Sequence, residues 1–79
     1  MNEFHMELKL NKDFARIIRR AILPEIDSKE IKRSKTFLFT NKSCLILRII
    51  AEDISSLRAA INTYLRLINM CLLLLHSKE

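Results

Sequence analysis

Glycine is absent from this chain of 79 residues, and proline occurs only once. Phosphate-binding loops of nucleotide-binding proteins and the G-x-x-G clamp of KH domains need glycine, because their backbone approaches a phosphate closely or takes positive φ. The sequence excludes these classes. Cysteine and histidine occur twice each, and none has a C-x-x-C or H-x-x-x-H spacing that would hold zinc. We therefore expect neither a metal nor another cofactor.

Long apolar segments are also missing. The longest run, Met70 to Leu75, is far shorter than the roughly 18 residues that a membrane span needs. The first nine residues lack the basic and apolar regions of a secretion signal. Together with the low cysteine content, these features predict a cytoplasmic protein without a membrane partner.

The small size indicates that the chain depends on a partner. Apolar residues make up 49% of it, so it should fold, as one domain spanning residues 1–79. A domain of this length buries only about 60% of the surface that its unfolded chain exposes. Because disulfides and metals are not available to compensate, we expect oligomerisation or docking on a larger protein.

Periodicity predicts a strand and a helix in the first third of the chain. Apolar and polar residues alternate over Phe4–Leu10, as in a strand with one buried face. Asn11 should cap a helix that ends at Leu23, because Pro24 disfavours helical geometry in the residue before it. A loop should follow over Pro24–Glu30. The core side of the helix is predicted to consist of Phe14, Ile17, Ile18, Ala21 and Ile22.

The middle of the chain predicts a β-hairpin. Segments 31–40 and 44–52 are rich in β-branched and aromatic residues and flank a short polar linker. Asn41 is the residue expected to take the left-handed conformation in this turn. The last strand is the most apolar, so it should be central, with the other two strands antiparallel on either side of it.

A long second helix completes the predicted fold. Asp53 is a suitable N-cap, and neither glycine nor proline follows it up to about Leu75. The fold class is therefore α+β, in the order β-α-β-β-α, with a three-stranded antiparallel sheet of order 1-3-2 and both helices packed on one face. The core stripe of the second helix is predicted to be Leu57, Ile61, Tyr64, Ile68, Cys71, Leu72 and Leu75.

Side chains that might carry catalysis are few, and each has a structural explanation. Cys71 falls on the core stripe, Cys44 begins a strand and Asp53 is a cap. No histidine is placed in the sequence to activate either cysteine. We expect no enzymatic activity of the chain by itself.

A net charge of +5 permits an anionic partner such as RNA. A solvated charged face is the simpler explanation of the basic residues. Phe37 and Phe39 alternate onto one face of a strand, which we expect to be the core, so the sheet should lack an exposed aromatic pair on which bases stack. The candidate contacts to tRNA are Arg16, Arg19, Arg20, Lys32, Arg33 and Lys35.

Apolar residues without an internal partner indicate an interface. Leu72–Leu75 make the second helix apolar on all sides, and Ile46 and Ile50 lie on the second face of the central strand. We take Ile46, Arg48 and Ile50 as candidate contacts of a dimer. The sequence does not distinguish pairing of edge strands from stacking of sheet faces, nor a homodimer from a heterodimer with a paralogue.

The second helix resembles the signature helix of the CTAG/Pcc family, the small dimerising subunits of the archaeal and eukaryotic KEOPS complex. Leu23-Pro24-Glu25 and Arg33-Ser34 also fit, so the resemblance covers nearly the whole chain, although Leu72–Leu75 is not part of the family pattern. The composition suits an archaeal source. The matching residues of the second helix are Asp53, Leu57, Arg58, Ala59, Asn62, Leu65 and Arg66.

The resemblance implies a protomer without activity of its own. Such a protomer dimerises and docks through its helices on the subunit that transfers threonylcarbamoyl to adenosine in tRNA, so that two copies of that enzyme are brought together. tRNA itself would be touched only weakly. The alternative function is a small, free-standing basic RNA-binding module. Contacts to the protein partner are expected on the second helix, at Leu57, Arg58, Ile61, Asn62, Leu65, Arg66, Leu73 and Leu74.

Overall fold

Three strands and two helices make up the described part of the chain, which is residues 1–28 and 33–77 of a computed structural model. The last strand pairs antiparallel with both of the others, so the strand order 1-3-2 and the central position of that strand are confirmed. The predicted β-α-β-β-α order is confirmed as well. The elements are β1 (Asn2–Lys9), α1 (Lys12–Ser28), β2 (Ser34–Asn41), β3 (Cys44–Ala51) and α2 (Ile54–His76).

The core lies between one face of the sheet and the two helices. β3 contributes Leu45, Leu47 and Ile49, which have no exposed surface. No polar or charged side chain is buried in the described ranges. α2 contacts all three strands, α1 contacts β2 and β3, and the two helices contact each other. Because both helices lie on the same face, the second face of the sheet stays open. The helices contribute Ala15, Ile18, Ile22, Ala60, Tyr64 and Ile68 to the buried core.

α1 continues through Pro24 to Ser28, so the prediction that it ends at Leu23 was wrong. Pro24 lies on the exposed side of the helix, while Ile26 packs against the core. Burial of Ile26 opposes the loss of the hydrogen bond that a proline cannot donate. The predicted loop is therefore helical in its first part. Residues 29–32, which include the rest of that loop and the predicted start of the second strand, lie outside the described residues.

α1 is also rotated relative to its predicted orientation. Ile17 is 48% exposed and Ala21 is exposed, although both were predicted to face the core. The physical reason is the greater length of the helix. Because α1 continues to Ser28, its buried side must also include Ile26, and the residues that share a side with Ile26 at spacings of three and four differ from those predicted for a helix ending at Leu23. The residues on this line are Ala15, Ile18, Ile22 and Ile26.

The hairpin between β2 and β3 is closed by the two residues Lys42 and Ser43, because Asn41 pairs with Cys44. Lys42 has the positive φ, 54°, so the prediction for Asn41 was wrong. Pairing with Cys44 keeps Asn41 extended as the last residue of β2, and the left-handed conformation therefore falls on the next residue. The predicted hairpin itself is present.

Both predicted helix caps are present. Asn11 Oδ1 accepts a hydrogen bond from the Asp13 N–H at 2.8 Å, and Asp53 Oδ1 accepts one from the Ser56 N–H at 2.7 Å. α2 has 23 residues and spans about 35 Å, whereas the eight residues of β3 span about 26 Å. α2 therefore extends beyond the sheet at its C-terminal end.

By length and composition alone α2 would also pass for a membrane span, with a mean hydropathy of 1.3 over its most apolar window. Its inward stripe, however, packs on the sheet, with Tyr64 and Ile68 buried there. Arg66 stands near its midpoint on the exposed side, and an arginine at the centre of a bilayer costs about 2.5 kcal/mol or more. α2 therefore packs on the sheet along one stripe, and 17% of that apolar window is buried.

Candidate interaction surfaces

The first candidate surface is the outward side of α2, here called the docking surface. Leu73 and Leu74 are its apolar part, 62% and 64% exposed. Its remaining side chains are polar or charged and are exposed as well. Leu57, Ile61 and Leu65, the other predicted contacts on this helix, are half-buried and pack against the core. The docking surface consists of Arg58, Asn62, Arg66, Leu73 and Leu74.

The leucine run is divided by the helix geometry. Leu72 and Leu75 pack against the core, whereas Leu73 and Leu74 point away from it, beside Met70, which is 53% exposed. Leu73 and Leu74 therefore lie on the solvent side of the helix, while the opposite side of the same turn packs on the chain. An apolar patch therefore remains on the surface, where a partner would cover it at no cost to the core.

The second candidate surface is the open face of the sheet. Ile46, Arg48 and Ile50 share this face as predicted, with the two isoleucines half-buried and the arginine exposed. Arg48 donates hydrogen bonds from Nε and Nη2 to the two carboxylate oxygens of Glu3, at 3.1 and 3.3 Å. The outward residues of β1 are all ionisable, namely Glu3, His5, Glu7 and Lys9. The open face thus has an apolar half on β2 and β3 and a charged half on β1.

Phe37 and Phe39 lie on the open face, 38% and 48% exposed, so the prediction that they belong to the core was wrong. The register explains the difference, because Leu38 pairs with the buried Leu47 and its two neighbours must then point to the opposite face. Their rings are stacked, with centroids 6.3 Å apart and planes inclined by 5°. The sheet therefore presents the exposed aromatic pair that the sequence was expected to lack.

The predicted tRNA contacts do not form one patch. Arg16 and Arg20 are exposed on α1, in the helix layer, whereas Lys35 is exposed on the open face of the sheet. Lys32 lies outside the described residues. The other two predicted contacts are engaged within the protein. Arg19 Nε donates a hydrogen bond to the carbonyl oxygen of Leu38 at 3.1 Å, and Arg33 forms an ion pair with Asp53 at 3.5 Å.

Asp53 and Cys71 have structural roles in this fold. Hydrogen bonds from the backbone and hydroxyl of Ser56, and the nearby charge of Arg33, hold the pKa of Asp53 below its ordinary value. Burial raises the pKa of the Cys71 thiol, which keeps it protonated and weakly nucleophilic. Across residues 1–28 and 33–77, no three histidine, cysteine or acidic side chains come together as metal ligands would.

The fold and these surfaces define a small α+β domain, in which two helices pack on one face of a three-stranded sheet and an apolar patch is exposed at the end of α2. The family model described as transcription factor Pcc1 matches residues 3–75. The chain belongs to the Pcc1 family, which is the family of the KEOPS subunit. None of the curated proteins compared with the chain matches it. The predicted family is thereby confirmed, and the family supports a context of tRNA modification.

Proposed function

We propose that this protein is a non-catalytic scaffold subunit of KEOPS, which dimerises and docks on the transferase subunits that make threonylcarbamoyl-adenosine in tRNA. The observation that carries the proposal is the exposed pair Leu73 and Leu74 at the end of α2 that extends past the sheet. Membership of the Pcc1 family supports it. A cytoplasmic location, proposed from the composition, suits the free thiols of Cys44 and Cys71, and the same composition is the basis for proposing an archaeal source.

The docking surface indicates which side chains the transferase subunit should present to it. Leu73 and Leu74 call for apolar side chains opposite the end of α2, while Arg58 near its start and Arg66 near its midpoint are placed to meet acidic ones. A partner helix with apolar residues at one end and acidic residues at the other would satisfy both requirements. The two arginines supply orientation, because exposed ion pairs contribute little to affinity.

Two surfaces are available for a second copy of the chain. One is the apolar half of the open face, with Ile46, Arg48 and Ile50, and the other is the free edge of β1. The first would cover apolar side chains that the protomer by itself leaves partly in water, and the second would pair the backbone groups of an edge strand. We propose a homodimer rather than a heterodimer with a paralogue, because a single chain that carries both surfaces needs no second sequence.

Light scattering of the purified chain and of its mixture with the purified transferase subunit tests this function. We expect a dimer at micromolar concentration and a complex of two chains with two transferases. The chain alone should not modify tRNA when a threonylcarbamoyl donor is supplied. A wild-type chain that stays monomeric and forms no complex with the transferase would contradict the proposal.

The stacked pair Phe37 and Phe39 favours a second candidate function, an RNA-binding module that uses the open face. Lys35 and Arg48 lie on the same face and would meet phosphates, and stacking on an aromatic ring contributes about 1 to 3 kcal/mol per base. Binding of a single-stranded oligonucleotide would then weaken by about 0.7 log units per neutralised phosphate for each tenfold rise in salt. Tight, sequence-selective binding that Phe39→Ala abolishes would favour this function over the scaffold.

A further inference from the structure

The strand register places planar side chains in one row across the open face of the sheet. Phe37 of β2 pairs with Arg48 of β3, and Arg48 pairs in turn with His5 of β1. All three residues are exposed, so a phenyl ring, a guanidinium group and an imidazole ring stand on neighbouring strands. These are the planar groups on which proteins stack the unpaired bases of RNA. The row therefore offers a stacking group on every strand of the sheet.

The aromatic pair on β2 extends this row along the strand. The rings of Phe37 and Phe39 are inclined by only 5°, with centroids 6.3 Å apart, so each ring turns one side toward the other and keeps its second side free. The two residues are 38% and 48% exposed. Exposed apolar surface of this kind marks a binding site on a folded domain. The pair is thus available to the flat surface of a base.

Charge on the open face is divided between the strands. The acidic residues of the strands, Glu3 and Glu7, both lie on β1, and Glu3 is held in an ion pair by Arg48 at 3.1 Å. β2 has no acidic residue, and its outward cation, Lys35, forms no ion pair in the described part of the chain. A phosphate backbone is therefore attracted to the β2 side and repelled from the β1 side.

A cavity lies at the end of the open face where β2 begins. Its volume is about 310 Å³, at the lower end of the range of about 300 to 1,000 Å³ that ligand sites have. The polar residues of its lining are Arg33, Ser34, Lys35 and Glu52. Phe37 and Ile50 give it an apolar wall. This lining combines a flat apolar surface for one base with a cation for its phosphate and polar groups for its edge.

We propose that the open face is a binding site for unpaired nucleotides of RNA, whose bases stack on Phe37 and Phe39 and whose backbone follows β2 past Lys35. The context of tRNA modification makes RNA the relevant nucleic acid. Because every base has a π-face, the site accepts different sequences. The docking surface lies in the helix layer, on the other side of the sheet, so one chain holds RNA and the transferase at the same time.

A second copy of the chain is a less suitable occupant of this face. The cores of protein interfaces are depleted of charged residues, whereas Arg48 stands on the central strand of the open face. A second sheet pressed against it would take the ion pair of Arg48 with Glu3 out of water, at a cost that the attraction between the charges does not reliably offset. Interfaces with nucleic acids are polar and hydrated, so RNA leaves these charges in contact with water.

Fluorescence anisotropy of a labelled single-stranded RNA of about eight nucleotides, a length common for single-strand sites, tests the aromatic pair. Phe37→Leu and Phe39→Leu keep an apolar side chain and remove the ring, so each should raise the dissociation constant about 5- to 150-fold, the loss of one stacked base. Leu73→Gln changes an apolar residue of the helix layer, 62% exposed, and should leave that constant unchanged. Circular dichroism verifies that each variant is folded.

The dependence on salt tests the path of the backbone. Lys35→Gln should reduce the slope of log dissociation constant against log salt concentration by about 0.7, the value of one phosphate of a single strand. Arg16→Gln removes the same charge from α1 and should leave the slope unchanged. An RNA hairpin without unpaired overhangs should bind at least about tenfold more weakly, because a duplex keeps its bases stacked within the helix.

The outcomes separate this site from the proposed scaffold function. The proposal is overturned if the wild-type chain binds no single-stranded RNA, if both leucine variants bind it normally, or if the duplex binds equally well. Binding of single-stranded DNA without binding of RNA would also overturn it. If Phe39→Leu dissociates a dimer and leaves the RNA affinity unchanged, the face belongs to a second copy instead. A chain that binds RNA through Phe37 and never docks on the transferase would contradict the scaffold and support this site.

Discussion

Changing Leu73 and Leu74 together to Gln should weaken docking on the transferase and leave the protomer folded. The two side chains are 62% and 64% exposed, so about three-fifths of each is available to a partner and the rest is already covered by the chain. Fully burying a leucine contributes about 1.5 to 3 kcal/mol, so the free parts of both together are worth about 2 to 4 kcal/mol. The dissociation constant of the complex should therefore rise by a factor of about 30 to 1000.

Isothermal titration calorimetry with the purified transferase subunit measures this change, and thermal denaturation followed by circular dichroism measures the fold. Phe39→Gln is the matched control, because Phe39 is 48% exposed on the opposite face of the molecule and should not affect docking. If the leucine double variant melts at a much lower temperature and still docks with wild-type affinity, the two leucines belong to the protomer's own core. The docking surface would then be wrongly assigned.

Four further predictions concern the protomer. Asp53→Ala removes the N-cap of α2 and should lower the melting temperature by about a few degrees. Because the pKa of Asp53 is lowered in the folded state, its stabilisation is present above the ordinary pKa of 3.8 and is lost as the pH falls through the lowered value. The melting temperature of Asp53→Asn should therefore fall less steeply at acidic pH than that of the wild type. Cys71, whose pKa is raised by burial, should react more slowly with iodoacetamide at pH 8 in the folded chain than in urea, as mass spectrometry would record. Leu47→Ala at the centre of the core should lower the free energy of unfolding in urea by about 2 to 5 kcal/mol, and a loss below about 1 kcal/mol would show that this part of the core is loosely packed.

The interaction surfaces were only partly visible in the sequence. The surplus of leucines at the end of α2 predicted an apolar patch, and the structure places Leu73 and Leu74 there because the helix is longer than the sheet. The stacked pair Phe37 and Phe39 was assigned to the wrong face, since alternation shows that two residues share a face but not which face the helices cover. The hydrogen bond from Arg19 to the edge of β2 could not be predicted from the sequence, because it joins residues that are distant along the chain.

Local physics in the sequence determined the five elements, their order and the caps at Asn11 and Asp53. Periodicity of apolar residues and the hydrogen-bonding capacity of a capping side chain act over a few residues, so a linear pattern contains them. Tertiary structure alone decided that α1 passes through Pro24, that Lys42 takes the positive φ and that the face of β2 that carries Leu38 points inward. These features depend on burial and strand register, which follow from where distant segments meet.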